Sequence, residues 1–260
     1  MTSLSDLSQA ELRELRDLAL RAVSLARGIV LDVYARGAET LWKTDGTPVT
    51  EADRRAELAL REFFAKETPE FGFLGEEFGE APGRCPMRWV VDPIDGTKSF
   101  VHRVPLFGSL VGLERDGEPL VGVIACHAVG EVVDAAAGLG ARWNGEPCRV
   151  SNVERLDEAT VVASGVDEMA RRAPGALERL ATGVRLFRTW GDCFGYLLVA
   201  TGRAEGMLDP VLERWDLVAV TVAVREAGGR LDPWPGATAR FSAVASNGRV
   251  QEDLLALLRG

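Results

Sequence analysis

The stretch Trp89-Val90-Val91-Asp92-Pro93-Ile94-Asp95-Gly96-Thr97 decides how the rest of the chain is read. Its first residues are bulky and apolar, the makings of a buried strand. Asp92 stands where that strand should end, and Pro93 removes the next ladder donor, so the chain is expected to turn there. A turn lets the Asp92 and Asp95 carboxylates converge, with the Ile94 carbonyl beside them. Hard divalent cations such as Mg²⁺ take oxygen ligands of these kinds. Gly96 and Thr97 then offer backbone N–H groups where a helix can begin, a natural cradle for phosphate. An Asx-type turn accounts for the same Asp, Pro and Gly without any ligand.

Two other acidic sites bear on that choice. Gly75-Glu76-Glu77 follows a short apolar run ending at Leu74, which again puts a carboxylate at a strand end. Trp215-Asp216 opens a helix whose next turns are apolar, where an Asp can cap the N-terminus or face outward as a ligand. Taken singly, a solvated loop explains the first and a helix cap the second.

Outward from these sites the pattern is one of interleaved elements. Ser8–Glu11 and Thr50–Asp53 both read as capping boxes at the starts of helices, the first followed by an apolar stripe from Leu12 to Val33. Asp116-Gly117 and Asn144-Gly145 are hairpin turn dipeptides. Val161–Ala163 reads as a buried strand, Asp192–Ala200 as a helix, and Trp215–Ala227 as another, closed by Gly228-Gly229. Trp42–Thr47 is polar and turn-rich, a loop. Strands that alternate with helices yet also form hairpins predict mixed sheets of an α+β protein. A soft boundary near residue 150 divides the chain into an N-terminal lobe, 1–150, and a C-terminal lobe, 151–260, within one compact unit.

With 260 residues, 47% hydrophobic and 27% charged, the chain can bury a substantial core and is not a disordered polymer. Thirty Lys and Arg against thirty-nine Asp and Glu give a net charge of −9, which argues against nucleic acid or an anionic membrane as partner. A small anionic substrate stays compatible, because a bound cation reverses the local field. No apolar run approaches the ~20 residues of a membrane span. The acidic N-terminus does not read as a signal peptide. Four scattered cysteines and two histidines argue against a zinc site or disulfide framework, so a reducing cytoplasm is expected. His102 and His127 read as packing or surface residues, and Cys193 as structural.

Gly75-Glu76-Glu77, Asp92-Pro-Ile-Asp-Gly-Thr97 and Trp215-Asp216 … Glu226-Ala-Gly-Gly229, in this order and spacing, resemble the motifs of the inositol monophosphatase family across nearly the whole chain. The resemblance implies a layered αβαβα sandwich with mixed sheets, a homodimer, and Mg²⁺-dependent hydrolysis of a small phosphorylated metabolite. It implies that Glu76, Asp92, the Ile94 carbonyl, Asp95 and Asp216 carry two or three Mg²⁺ ions. Gly96 and Thr97 would hold the phosphate, while Asp53 and Thr97 orient and help deprotonate the attacking water, with Glu76 beside them. Lys43 falls where the family often has a lysine near the phosphate and third metal; a solvated surface lysine is the plainer reading. A member that keeps the fold as a non-catalytic, metal-binding partner protein is the reading from another class. The complete ligand set argues against it.

Within the family, Asp45–Asp53, Lys98–Gly108 and Gly191-Asp192-Cys193 are similar to histidinol-phosphatases of this fold. On that resemblance Asp192 would pair with a substrate ammonium group and Asp209 would bind a second polar group. A helix cap accounts for Asp192 otherwise. Histidinol phosphate is therefore the expected substrate, inositol 1-phosphate the next, and adenosine 3′,5′-bisphosphate the third.

Overall fold

The computed structural model describes residues 7–37, 39–42, 48–236 and 241–259; Lys43 and the loop expected through Thr47 lie outside them. Both capping boxes form. Ser8 accepts from the Glu11 N–H while the Glu11 carboxylate takes the Ser8 N–H, which opens α1 (Gln9–Arg36). After the hairpin of β1 (Thr40–Trp42) and β2 (Pro48–Thr50), Thr50 and Asp53 do the same for α2 (Glu51–Glu67). The chain continues through β3 (Gly72–Gly75), β4 (Gly79–Ala81), β5 (Met87–Asp95) and the short α3 (Thr97–Val101). A meander follows, of β6 (Gly108–Arg115), β7 (Glu118–Cys126), β8 (Glu131–Ala136), β9 (Gly140–Trp143) and β10 (Glu146–Cys148). Beyond it come β11 (Thr160–Ala163), α4 (Val166–Arg172), α5 (Ala176–Gly183), β12 (Leu186–Arg188) and α6 (Asp192–Ala200). The last elements are β13 (Gly206–Leu212), α7 (Arg214–Glu226), β14 (Arg230–Asp232), β15 (Phe241–Ser246) and α8 (Gln251–Arg259).

An eight-stranded sheet runs β10-β9-β8-β7-β6-β5-β3-β4, and a five-stranded sheet runs β12-β11-β13-β15-β14. Both are mixed: β3 pairs parallel with β5, and β13 pairs parallel with β11 but antiparallel with β15. The apolar stripe of α1 and that of α2 bury one face of the large sheet, around Trp89, Val91, Val111 and Val123. Its other face meets α6 and α7, whose far sides meet the small sheet. Beyond the small sheet, α5 and α8 close the stack over Val161, Leu180 and Leu254. The result is the five-layered αβαβα sandwich.

The expected hairpins close as read. Asp116 and Gly117 have φ of 51° and 83°, and Asn144 and Gly145 have 49° and 87°, the all-positive pattern of a type I′ turn. One expectation fails. The chain does not leave the sheet at Pro93: β5 runs on to Asp95, and its register against β6 slips between Asp92 and Asp95. A β-bulge supplies the kink that Pro93 was expected to enforce as a turn, and the sheet keeps the strand.

Helix α7 lies hard against the large sheet because two cross-strand partners beneath it, Gly112 and Gly122, lack side chains. A Cβ on Gly122 would stand 2.2 Å from the Ala219 carbonyl oxygen. Backbone cannot swing aside as a long side chain can, so Gly122→Ala should lower unfolding free energy by about 1–3 kcal/mol or more. Denaturant melts will check this; an unchanged midpoint would mean that α7 is not seated as described.

Candidate metal and phosphate site

The site forms where two parallel strands end side by side. Phe73 pairs with Trp89 and Gly75 with Val91, so Glu76, just past β3, emerges next to Asp92 in β5. Helix α7 brings Asp216 from the opposite layer. One carboxylate oxygen each from Asp92, Asp95 and Asp216 lies within 4.8 Å of the others. The carboxyl groups of Glu76 and Asp216 also crowd against that of Asp92. Contacts of that kind between carboxyl groups demand a shared proton unless a cation takes its place.

Each carboxylate is aimed by backbone. Asp92 Oδ1 accepts the Ile94 N–H at 2.9 Å, so the Asx-type turn and the converging carboxylates are one structure. Asp95 Oδ2 accepts the Cys193 N–H at the start of α6. Asp216 is not the N-cap of α7. Glu213 holds that place, and Asp216, at the third helical position, accepts the Glu213 N–H at 2.7 Å. Arg214, the first residue of α7, is pinned to the buried Glu114 of β6, which also takes Arg88 of β5. This three-residue bridge sets where the N-terminus of α7, and hence Asp216, meets the sheet.

The electrostatics match. Desolvation pushes Asp92 and Asp95 well above the usual carboxylate range; Glu76 and Asp95 add to the shift of Asp92, and Asp192 and Asp216 to that of Asp95. Asp216 is raised to about 7, again mainly by desolvation. An all-oxygen set of crowded carboxylates with a peptide carbonyl is the donor chemistry of a hard divalent cation. The residues therefore fit such an ion, and its charge would invert the local titration.

Behind this cluster, Asp53 is buried at the first turn of α2. Its Oδ2 takes the Thr50 N–H and hydroxyl at 2.8 and 2.6 Å, and its Oδ1 lies 3.5 Å from Thr97 Oγ1. Desolvation raises Asp53 to about 6, against the lowering effect of the Thr50 bonds. Thr97 Oγ1 also donates to the Ile94 carbonyl at 2.9 Å. Gly96, with φ 84°, lets the chain pass from β5 into α3; a Cβ there would meet the Leu106 carbonyl at 3.0 Å. Ile94, Gly96 and Thr97, with Lys98 and Asp192, line a cleft of about 390 Å³ that also takes in Glu76, Asp92, Asp95 and Asp216, and Asp53 lies behind its wall.

Asp192 is not a helix cap either. Gly191 is the N-cap of α6 and no side-chain capping bond is made; Asp192 follows in the left-handed region, φ 52°, and faces the cleft. An L-residue held there is strained, and such strain tends to be kept at functional sites. Burial raises the Asp192 carboxyl, with the Lys98 charge opposing. Asp209, in β13, is buried near Asp192 and outside the cleft wall; burial, and after it the Asp192 charge, raise it.

Three residues escape the sequence reading. Lys98 is the cationic side chain among the described residues of the cleft wall, and Glu213 stands at its α7 rim. Glu57 is fully buried, and its carboxylate takes the Glu77 and Phe78 N–H groups at 2.6 and 3.0 Å, which shapes the loop that carries Glu76. A charged residue on the apolar stripe of α2, one turn past Asp53, was the signal available for it.

The raised carboxyls make a pH prediction for the metal-free protein. A group whose pKa is raised by folding favours the folded state while protonated. That contribution is complete below the ordinary carboxylate pKa of ~4 and fades as pH rises through about 6 for Asp53 and about 7 for Asp216. In EDTA the Tm should therefore fall from pH 5 to pH 8, and saturating Mg²⁺ should flatten that fall. A metal-free Tm that climbed over the same range would contradict the picture of crowded, uncompensated carboxylates.

A layered sandwich with a carboxylate-lined cleft at the ends of β3 and β5 defines a metal-dependent hydrolase, and comparison with known proteins gives its family. The model of the inositol monophosphatase family matches residues 11–259, and the chain belongs to that family of metal-dependent phosphate monoester hydrolases. It is similar to a histidinol-phosphatase from Chlorobaculum parvum, 42% identical over 82% of this chain and 83% of that one. It is also similar to an inositol-1-monophosphatase from Mesorhizobium japonicum, 35% identical over 82% and 83%. Among solved structures, an inositol monophosphatase from Zymomonas mobilis superposes with a TM-score of 0.84, at 27% identity over 98% of this chain and 100% of that one. No helix among the described residues is long and apolar enough to cross a membrane.

Proposed function

We propose that the protein hydrolyses histidinol phosphate with Mg²⁺ as its metal, as a cytoplasmic homodimer. Asp192 carries the substrate reading: a carboxylate that caps no helix is held, at a conformational cost, in the wall of the phosphate cleft. Histidinol phosphate bears an ammonium group, and an ammonium set against Asp192 would return that raised carboxyl to its charged form. Asp209 behind it makes the neighbourhood more acidic without entering the cleft.

In this reading Glu76, Asp92, the Ile94 carbonyl, Asp95 and Asp216 hold two or three Mg²⁺ ions, which would lower the pKa of a bound water and stabilise charge on the phosphate oxygens. The Gly96 and Thr97 N–H groups face the phosphate. Thr97 Oγ1 carries one proton and has two acceptors in reach, the Ile94 carbonyl at 2.9 Å and Asp53 Oδ1 at 3.5 Å. Donation to Asp53 leaves a hydroxyl lone pair to accept a hydrogen bond from water and so orient it for in-line attack. Asp53, locked by Thr50, is placed to share that proton.

The second reading, inositol 1-phosphate, has the name of the Mesorhizobium relative in its favour. Asp192→Asn separates the two. Asn tolerates the same left-handed φ, so the change removes charge while keeping the backbone. Loss of a partly desolvated charge pair is worth roughly 1–3 kcal/mol, or about 5- to 150-fold in kcat/KM. That loss should appear for histidinol phosphate and be small for inositol 1-phosphate and for an uncharged aryl phosphate. Equal losses on all three would move inositol 1-phosphate to first place.

A further inference from the structure

Outside the cleft, one buried polar chain leads straight to the metal-site bulge. Ser109, in β6, is fully buried, and its hydroxyl oxygen lies 2.6 Å from the Pro93 carbonyl and 2.8 Å from His127 Nε2. Pro93 sits inside the bulge, where the β5–β6 register slips between Asp92 and Asp95. A side chain from the partner strand thus takes the place of the regular ladder at the point where β5 changes course.

We propose that Ser109 and His127 are positioning residues that hold the Asp92–Asp95 bulge in its metal-binding shape. Ser109 has a single hydroxyl proton, and a carbonyl can only accept, so that proton goes to Pro93. The His127 nitrogen must then be the donor: its Nε2–H points at the Ser109 oxygen. Burial, together with the nearby Arg27 charge, lowers His127 to about 4, so the ring is neutral at pH 7 and carries one N–H. That fixes the tautomer with Nδ1 bare. No described group pairs with Nδ1, and the ring lines an open cleft of about 400 Å³ beside α1. With its acceptor lone pair filled by His127, the Ser109 hydroxyl is fixed in one orientation, and so is the carbonyl between Asp92 and Ile94.

The inference rests on Asp92, Ile94 and Asp95 as metal ligands, and its test keeps the two claims apart. Calorimetric titration of Mg²⁺ into the metal-free protein first establishes binding; no binding by the unmodified protein would remove the ligand assignment itself. Given binding, Ser109→Ala should weaken the Mg²⁺ Kd by roughly 3- to 10-fold, the worth of one net hydrogen bond. His127→Leu should weaken it by about 2- to 5-fold. His127→Gln, which still presents an N–H, should stay within about twofold of the unmodified protein. A purely structural role predicts lower Tm values with an unchanged Kd, or Gln and Leu variants alike in Kd, and either result overturns the proposal. The unmodified protein offers a readout free of any folding defect. With only two histidines in the chain, ¹⁵N-edited NMR with His102→Gln for assignment can identify the His127 tautomer. Protonation at Nε2 is expected; protonation at Nδ1 would make Ser109 the donor to His127 and overturn the strut.

Discussion

Asp95→Asn should abolish phosphate ester hydrolysis, with a fall in kcat of roughly 10³-fold or more, from a protein that still folds. Asn has nearly the size of Asp and can still accept the Cys193 N–H that Asp95 takes. What it lacks is the charge, at the centre of a cluster whose oxygens lie within 4.8 Å of one another. A ligand charge of this kind is worth several kcal/mol of charge stabilisation, and each ~1.4 kcal/mol is tenfold in rate. The burial, and after it the neighbouring carboxylates, that lift Asp95 far above the usual carboxylate range burden the metal-free protein. Its Tm in EDTA should therefore hold or rise in the variant while the stabilisation by Mg²⁺ shrinks. Near-normal turnover at saturating Mg²⁺ would sink the metal assignment, whatever the melting curves show.

Thr97→Ala should lower kcat by about 10²–10⁴-fold, the usual worth of positioned proton transfer, with KM and Mg²⁺ affinity little changed. The backbone N–H survives the substitution, so a phosphate held there keeps its donor. The Ile94 carbonyl loses one hydrogen bond of 2.9 Å and no metal-facing group. Asp53 stays locked by Thr50 yet loses its route to the cleft, because the hydroxyl 3.5 Å away was the link. Steady-state kinetics with a Mg²⁺ titration separates the outcomes. A raised KM with kcat intact would make Thr97 a binding residue and leave Asp53 as a helix cap only.

Much of this architecture is legible in short stretches of chain. Caps at Ser8 and Thr50, and hairpin turns at Asp116-Gly117 and Asn144-Gly145, depend on neighbours within four residues, and all formed as read. The extent of α6, Asp192–Ala200, was likewise readable from composition alone. Of the later strands, β11 was read, as Val161–Ala163, and the others were not. β12, β14 and the start of β13 are short, and what makes them strands is pairing with partners far along the chain. Three local readings gave way to tertiary context, and for Asp216 it was Glu213 that took the N-cap of α7. Pro93 did not end β5, because pairing with β6 on both sides of the bulge outweighed one missing donor. Asp192 did not cap α6, because Gly191 took the cap and the Asp95 carboxylate took the Cys193 N–H.

By itself the sequence determined the family motifs, the mixed α and β character, and the identity of the carboxylates that meet, since Glu76, Asp92, Asp95 and Asp216 each stand at the end or start of an apolar element. Tertiary structure alone decided how they meet. The parallel pairing of β3 with β5 puts Glu76 beside Asp92, and the Arg88–Glu114–Arg214 bridge seats α7 so that Asp216 reaches them. The same holds for Asp53 facing Thr97, for Glu57 beneath the Glu76 loop, and for Ser109 and His127 beneath Pro93. Each joins residues 16 to 44 positions apart along the chain. Local propensity does not reach that far, and only the packed sandwich restrains such groups closely enough to leave carboxylates crowded against one another.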